Sequence, residues 1–189
     1  WPPRAGGRAV LSMAEGLIRA GNLSHVTFRG FTFEACRGTA LTFKGGADCH
    51  VVGCTIRNAG DYNGPGVSVN GGKRNGVAGN DIYEIGSNGA ALSGGDRITL
   101  TPAENYADNN YLHHTGVFYK QGVGVSLSGV GNRASHNLIH DGPRFGIQFS
   151  GNNLIIEYNH IRHVDLETAD TGAVYTGGRD WISSRGTKI

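Results

Sequence analysis

The sequence lacks the features that mark several large classes of protein. It has no apolar run near the roughly 18 residues that a membrane-spanning helix needs, so no membrane partner is expected. Charged residues make up only 17% of the chain, the formal net charge is +2, and no basic run occurs. A nucleic-acid partner is therefore not expected either. No signal peptide is recognisable, although a leader removed before Trp1 would leave no trace.

Cysteine is scarce as well, and the three residues Cys36, Cys49 and Cys54 cannot all pair with one another. A disulfide framework is thus not indicated. Cys49 and Cys54 fall on repeat columns that elsewhere hold Leu154 and Asn159, and those columns are expected to point inward. We predict buried free thiols that act as small core residues, which leaves the redox compartment open.

What the chain does contain is a repeat of the form Asn-x-Ile, with an apolar residue in the Asn position of the first two copies. The final apolar residue of each copy stands at positions 33, 56, 82, 112, 139 and 161, so the period runs from 22 to 30 residues. Periods of this length are typical of stacked units that bury an apolar face only against each other.

Two further columns keep the same period. Five residues before each final apolar residue stands another apolar residue: Phe28, Val51, Val77, Ala107, Ala134 and Ile156. Short stretches of alternating apolar and small polar residues, most of them bounded by glycine, recur at residues 40–45, 66–71, 89–94, 124–129, 146–151 and 172–177. Alternation of this kind predicts half-buried strands.

The repeat predicts an all-β fold, a right-handed parallel β-helix of about six or seven rungs that spans residues 1–189 as one domain. Like strands of successive units would stack about 4.8 Å apart. Glycine is abundant, at 32 of 189 residues, which suits a chain that must bend several times in each unit. An inward Asn at a bend can satisfy backbone groups of the neighbouring unit.

Both ends carry their own predictions. The stretch from Arg8 to Ala20 is compatible with a helix, followed by one more strand around Leu17 and Ile18, and it would cap the open edge of the solenoid. The C-terminus stops at Ile189 in what looks like the start of another unit. We favour a fragment of a longer protein over a chain that forms an end-to-end homodimer.

Stacked units also bring together side chains that are distant in sequence. Aligning the last three units on Gly124, Gly146 and Gly172 predicts that Asp141 lies beside Glu167 and that Arg144 lies beside Asp170. Tyr119 occupies the Asp141 column one unit earlier, and Arg179, Asp180 and Trp181 follow the last strand.

Paired carboxylates of this kind suit glycoside hydrolysis, because closely spaced acids titrate at different pH and one can remain a proton donor. Polar side chains such as Gln148 would line a shallow groove, and Tyr119 and Trp181 would stack on sugar rings. Acids in turns also serve as simple structural caps or surface ion pairs, and this alternative stays open.

A second column stands two residues after the final apolar residue of each unit: Asn58, Glu84, His114, Asp141 and His163. Alternating acids and imidazoles are compatible with a metal site, a proton relay or a plain hydrogen-bonded ladder. The neighbouring His113, His140 and His160 have no metal-ligand spacing, and we expect no metal.

Several stretches resemble right-handed β-helix proteins of bacterial polysaccharide utilisation, in particular glycoside hydrolase family 141, which includes α-L-fucosidase and xylanase activities. The stretches that carry the resemblance are residues 28–34, 92–96, 136–143, 157–159, 170–177 and 179–181. The resemblance implies catalytic aspartates at Asp141, Asp170 and Asp180, and a secreted or periplasmic protein.

The leading hypothesis is a glycoside hydrolase that acts on plant or algal polysaccharide without a cofactor. Its catalytic candidates are Asp141, Glu167, Asp170 and Asp180, and its candidates for substrate binding are Tyr119, His140, Arg144, Gln148, Arg179 and Trp181. The alternatives are a polysaccharide lyase or epimerase, with Ca²⁺ or arginine to neutralise a uronate, and a β-helix that binds carbohydrate without turnover.

Overall fold

The computed structural model describes residues 9–178 and 182–189, and in this part of the chain nineteen strands form three parallel sheets. The first sheet contains β1 (Ile18–Gly21), β4 (Leu41–Lys44), β7 (Val67–Asn70), β10 (Ala90–Ser93), β13 (Val125–Val130), β16 (Ile147–Asn152) and β19 (Val174–Tyr175). The second contains β2 (Thr27–Arg29), β5 (His50–Val52), β8 (Gly76–Ala78), β11 (Tyr106–Asp108), β14 (Arg133–Ser135) and β17 (Ile155–Glu157). The third contains β3 (Thr32–Cys36), β6 (Thr55–Ala59), β9 (Asp81–Ile85), β12 (Tyr111–Thr115), β15 (Leu138–His140) and β18 (His160–Arg162).

The chain visits the three sheets in turn, so that three strands make one rung and each strand pairs with its equivalent one rung away. Strands β1 to β18 therefore build six rungs, and β19 begins a seventh. All strand pairings are parallel. The predicted solenoid, its rung number and its strand positions are confirmed.

Apolar side chains stack along the inside of the solenoid. In the first sheet, the first residues of five successive strands are fully buried and stack on one another: Leu41, Val67, Ala90, Val125 and Ile147. Ile56, Ile82 and Leu112 form the equivalent buried stack in the third sheet. The apolar column five residues earlier forms the centre of the second sheet, in the predicted register. These stacks exclude water because each side chain rests on its equivalent in the next rung.

Two ladders of asparagines, all buried except the partly buried Asn159, run along the bends on either side of the second sheet. One consists of Asn75, Asn105 and Asn132, and the other of Asn80, Asn110, Asn137 and Asn159. The Asn110 amide shows the pattern: its Nδ2 donates to the carbonyl of Val77 at 2.8 Å and to Oδ1 of Asn137 at 2.9 Å, and its Oδ1 accepts from Asn80. Every buried amide of this ladder thus finds partners in the neighbouring rungs.

A cysteine stands one rung before the first asparagine of each ladder. The backbone N–H of Cys49 donates to Asn75, and that of Cys54 donates to Asn80. All three cysteines are buried and free, as predicted.

The N-terminal helix prediction is wrong for the residues that are described. Residues 9–178 and 182–189 contain no helix, and therefore no helix that is long enough to cross a membrane. Val10, Leu11 and Met13 are exposed at 58%, 81% and 70%, and Ala14 forms a parallel bridge with Cys36. This segment pairs with the open sheet edge because unpaired backbone groups there offer more hydrogen bonds than an isolated short helix. The strand predicted around Ile18 is confirmed as β1.

Candidate functional site

A recurring bend in the third sheet places two consecutive side chains on the outer face of each rung. In β12, Leu112 and Thr115 point inward, and His113 and His114 both lie outside between them. His114 takes a left-handed backbone conformation with φ of 50°, which interrupts the alternation of a regular strand. The same conformation recurs at Asn58, Glu84, Asp141 and His163.

The first residue of each outer pair forms a column of planar side chains. The guanidinium of Arg57 donates to Glu34 at 2.7 Å and to the hydroxyl of Tyr83 at 3.0 Å. The ring of Tyr83 stacks on His113 with 4.9 Å between centroids, and His113 stacks on His140 at 5.3 Å. The imidazoles are therefore held side by side along the axis of the solenoid.

The second residue of each pair forms the column of acids and imidazoles that the sequence predicts. The backbone N–H of His114 donates to the carbonyl of Asp141 at 3.1 Å, and Nδ1 of His163 lies 3.4 Å from Oδ1 of Asp141. The predicted neighbours are thus neighbours in space. Among the described residues no group of three or more His, Cys, Asp or Glu is arranged to hold a metal ion.

Asp141 and His140 form a hydrogen-bonded chain with Tyr111. Nδ1 of His140 donates to Oδ2 of Asp141 at 2.7 Å, and Nε2 is hydrogen-bonded to the hydroxyl of Tyr111 at 2.9 Å. The side chain of His140 is only 6% exposed, whereas that of Asp141 is 34% exposed. The hydrogen bond from His140 lowers the pKa of Asp141 despite some desolvation, and His114 and His163 add to the effect. Asp141 is therefore a carboxylate at neutral pH.

We call this group of residues the imidazole flank: Tyr83, Tyr111, His113, His114, His140, Asp141 and His163. A groove of about 640 Å³ opens beside it. Its polar lining includes Asn58, Asp61, Glu84 and His114, and its apolar lining includes Val117 and Phe118. His114 belongs to both features, so the groove adjoins the imidazole flank at His114.

The structure places the other predicted site residues near one another but with different partners. Glu167 pairs with Lys120 at 2.9 Å, and Asp141 has His140 and His163 as its partners. The ring of Tyr119 packs on Tyr62 with 4.6 Å between centroids. These contacts link the two long loops that precede β7 and β13 and the loop that precedes β19.

The remaining candidates lie further along the last rungs. The Arg144 guanidinium covers the ring of Phe145 at 4.2 Å, and Gln148 is exposed on β16 opposite Tyr175. Asp170 is exposed in the loop before β19. Arg179, Asp180 and Trp181 lie outside the described residues.

The predicted alignment of Gly146 with Gly172 is wrong by one residue. Ile147 pairs with Val174, which puts Gly146 opposite Ala173. The loop that leads to β19 is longer than the loop that leads to β16, and its length is absorbed by an outward excursion that the sequence period does not reveal.

Sequence reasoning missed Tyr83, Tyr111 and His113. A signal for two of them was available, because the residue directly after each final apolar residue forms its own column of Glu34, Arg57, Tyr83, His113, His140 and Arg162. Simple strand alternation assigns only one of two adjacent residues to the outer face. The bend makes both residues of the pair outer ones.

Comparison with known proteins agrees with this architecture. Residues 15–103 match the family described as the right handed beta helix region. No curated protein and no solved structure shows significant similarity to the chain. The family match, which covers just under half of the chain, and the three parallel sheets together support a right-handed parallel β-helix fold.

Proposed function

We propose that this protein is a glycoside hydrolase that cleaves a plant or algal polysaccharide at the imidazole flank. The observation that carries the proposal is the ionised Asp141 carboxylate, which His140 holds at 2.7 Å one rung from His114, a residue that lines an open groove of about 640 Å³. A half-exposed carboxylate with a lowered pKa is suited to activate water or to attack a sugar carbon. This chemistry requires no cofactor.

His140 positions Asp141 rather than reacting itself. Its ring is buried between His113 and the edge of Tyr111, and both of its nitrogens are engaged. An imidazole fixed in this way holds one carboxylate oxygen in place and leaves the other to solvent and His163. The exposed oxygen is the one available to water or substrate.

The groove favours an uncharged glycan chain. Carboxylates of Asp61 and Glu84 and the amide of Asn58 accept hydrogen bonds from sugar hydroxyls, and Phe118 offers an apolar face to a sugar ring. The same two carboxylates repel a polyuronate. Family 141 enzymes, which the sequence resembles, provide the hypothesis for the substrate class.

The test is release of reducing ends from a panel of plant and algal polysaccharides by the wild-type protein and by Asp141→Asn. We expect at least a 100-fold loss of turnover in the variant, with unchanged thermal unfolding. Asp108→Asn is the matched control, because Asp108 also pairs with a histidine, His136 at 3.0 Å, but on the second sheet. Equal turnover by the wild type and Asp141→Asn would exclude Asp141 from the reaction.

A second candidate is β-elimination from a uronate polysaccharide. The observation that favours it is the contact of the Tyr111 hydroxyl with Nε2 of His140, which pairs a hydroxyl with a base. Arg162 follows His140 in the adjacent rung, where its charge would neutralise a uronate carboxylate. Ultraviolet absorbance of an unsaturated product, measured with and without Ca²⁺, distinguishes elimination from hydrolysis. Glycan binding without either product would favour a purely binding role.

A further inference from the structure

The imidazoles of His113 and His114 share a hydrogen bond that the proposed role of Asp141 does not use. Their Nδ1 atoms lie 2.8 Å apart, and the two rings meet edge to face at 82°. Such a contact requires a proton on one nitrogen and a lone pair on the other. Adjacent side chains meet here only because the bend at His114 places both of them outside.

The surroundings of His113 decide which nitrogen carries the proton. The ring is 16% exposed, lies between Tyr83 and His140, and points its Nε2 toward Oδ1 of Asp81 at 3.4 Å. Burial lowers the pKa of His113, and the nearby His114 and His140 act in the same direction, whereas Asp81 opposes them. A neutral His113 with its proton on Nε2, facing the carboxylate, leaves Nδ1 as an acceptor.

His114 is therefore the donor of the pair, and its other nitrogen, Nε2, is left without a partner among the imidazoles. The side chain lines the groove, unlike that of His113. Titratable and charged groups surround it on every side: Glu84 on the rung before, Asp141 and His163 on the rungs after, and Asp61 and Arg37 across the groove.

We propose that His114 is the proton donor of the reaction, with His113 fixing its orientation and tautomer. This inference rests on the proposed hydrolysis. The step starts from the His114 imidazolium, whose Nδ1 proton stays in the hydrogen bond to His113 while Nε2 gives its proton to the glycosidic oxygen as the bond from that oxygen to the anomeric carbon breaks. A water oxygen bonds to the anomeric carbon, and Asp141 takes the proton of that water. Exchange with solvent returns Asp141 and His114 to their starting states.

His114→Gln tests this role through the leaving group. General acid catalysis contributes roughly 10²–10⁴-fold, so we expect a loss of that size on natural glycan. The phenolate of an aryl glycoside made from an acidic phenol departs without protonation. The variant should therefore hydrolyse such a substrate at a rate close to that of the wild-type protein. The alkaline limb of the pH profile should disappear. His136→Gln, an exposed histidine on the second sheet, is the control and should change neither rate.

The outcomes separate this inference from the proposed function. Full turnover of natural glycan by His114→Gln, with the alkaline limb retained, would overturn the role of His114 even if Asp141→Asn is inactive. Inactive wild-type protein on every glycan would instead overturn the hydrolase. Long-range proton–nitrogen NMR provides a readout without substrate. It should show a proton on Nδ1 of His114 and none on Nδ1 of His113, and the opposite assignment would contradict the relay.

Discussion

Nδ1 of His140 donates a hydrogen bond of 2.7 Å to Oδ2 of Asp141, although the two residues are adjacent in the chain. Neighbouring side chains of a regular strand point to opposite faces and cannot meet. The left-handed conformation of Asp141, with φ of 51°, brings both to the outer face. The bend in the third sheet thus brings these two adjacent side chains together.

Replacing His140 should raise the pKa of Asp141. In His140→Phe the main cause of the lowered pKa is gone, so the carboxyl protonates at higher pH than in the wild type. Activity that needs the carboxylate is lost as pH falls through this pKa, and the acid limb of the pH profile should therefore move to higher pH. Carboxyl carbon NMR of Asp141 measures the pKa directly. His136→Phe should instead raise the pKa of Asp108 and leave Asp141 unchanged. An unshifted Asp141 in His140→Phe would contradict this account.

Asn110→Ala should strongly destabilise the fold. The substitution removes the acceptor of the Asn80 amide and both donors of the Asn110 side chain, inside the core. Each buried group left without a partner costs about 1–3 kcal/mol, so we expect a loss of roughly 3–5 kcal/mol in the free energy of unfolding. Urea denaturation measures it. Asn70→Ala, on the exposed face of β7, should change stability by less than about 0.5 kcal/mol.

Cys54→Asn should stabilise the protein. Cys54 occupies an asparagine position of the ladder, and its thiol already lies 3.5 Å from the carbonyl of Phe28, where the other ladder residues donate an amide. An amide here would donate to that carbonyl and to Oδ1 of Asn80. The expected gain in the free energy of unfolding is about 0.5–1.5 kcal/mol. The same change at Cys36, which is buried outside the ladder, should destabilise. A loss of stability in Cys54→Asn would show that the position is too tight for an amide.

Gly129→Ala should destabilise far more than Gly79→Ala. Both glycines have positive φ, 90° and 63°, so both substitutions introduce backbone strain of about 1–2 kcal/mol. A Cβ at Gly129 would also lie against the carbonyl oxygen of Gly94, whereas a Cβ at Gly79 would meet nothing within 4 Å. Relief of that overlap must move two rungs apart, which adds about 1–3 kcal/mol. Thermal unfolding of the two variants measures the difference, and equal melting temperatures would contradict it.

The strands, the rung number and the inward asparagines could all be predicted from the sequence, because equivalent positions of successive rungs have the same environment and require the same type of residue. An apolar residue at position 56, 82 or 112 must face the same core, and Asn80 and Asn110 must satisfy the same bend. The column of Glu84, His114, Asp141 and His163 followed from the same periodicity, since bends recur at one offset. At these positions, the local sequence pattern and the stacking on neighbouring rungs require the same type of residue.

The tertiary structure alone decided which of these side chains contact one another. The pairing of Glu167 with Lys120 and the one-residue shift of β19 depend on loops whose lengths differ between rungs, and such loops obey no repeat. The contacts of His140 with Asp141 and of His113 with His114 depend on a backbone conformation that leaves no mark in an apolar pattern. Periodicity encodes what is common to all rungs. The contacts of the candidate site arise where individual rungs differ, and only the folded chain brings those differences together.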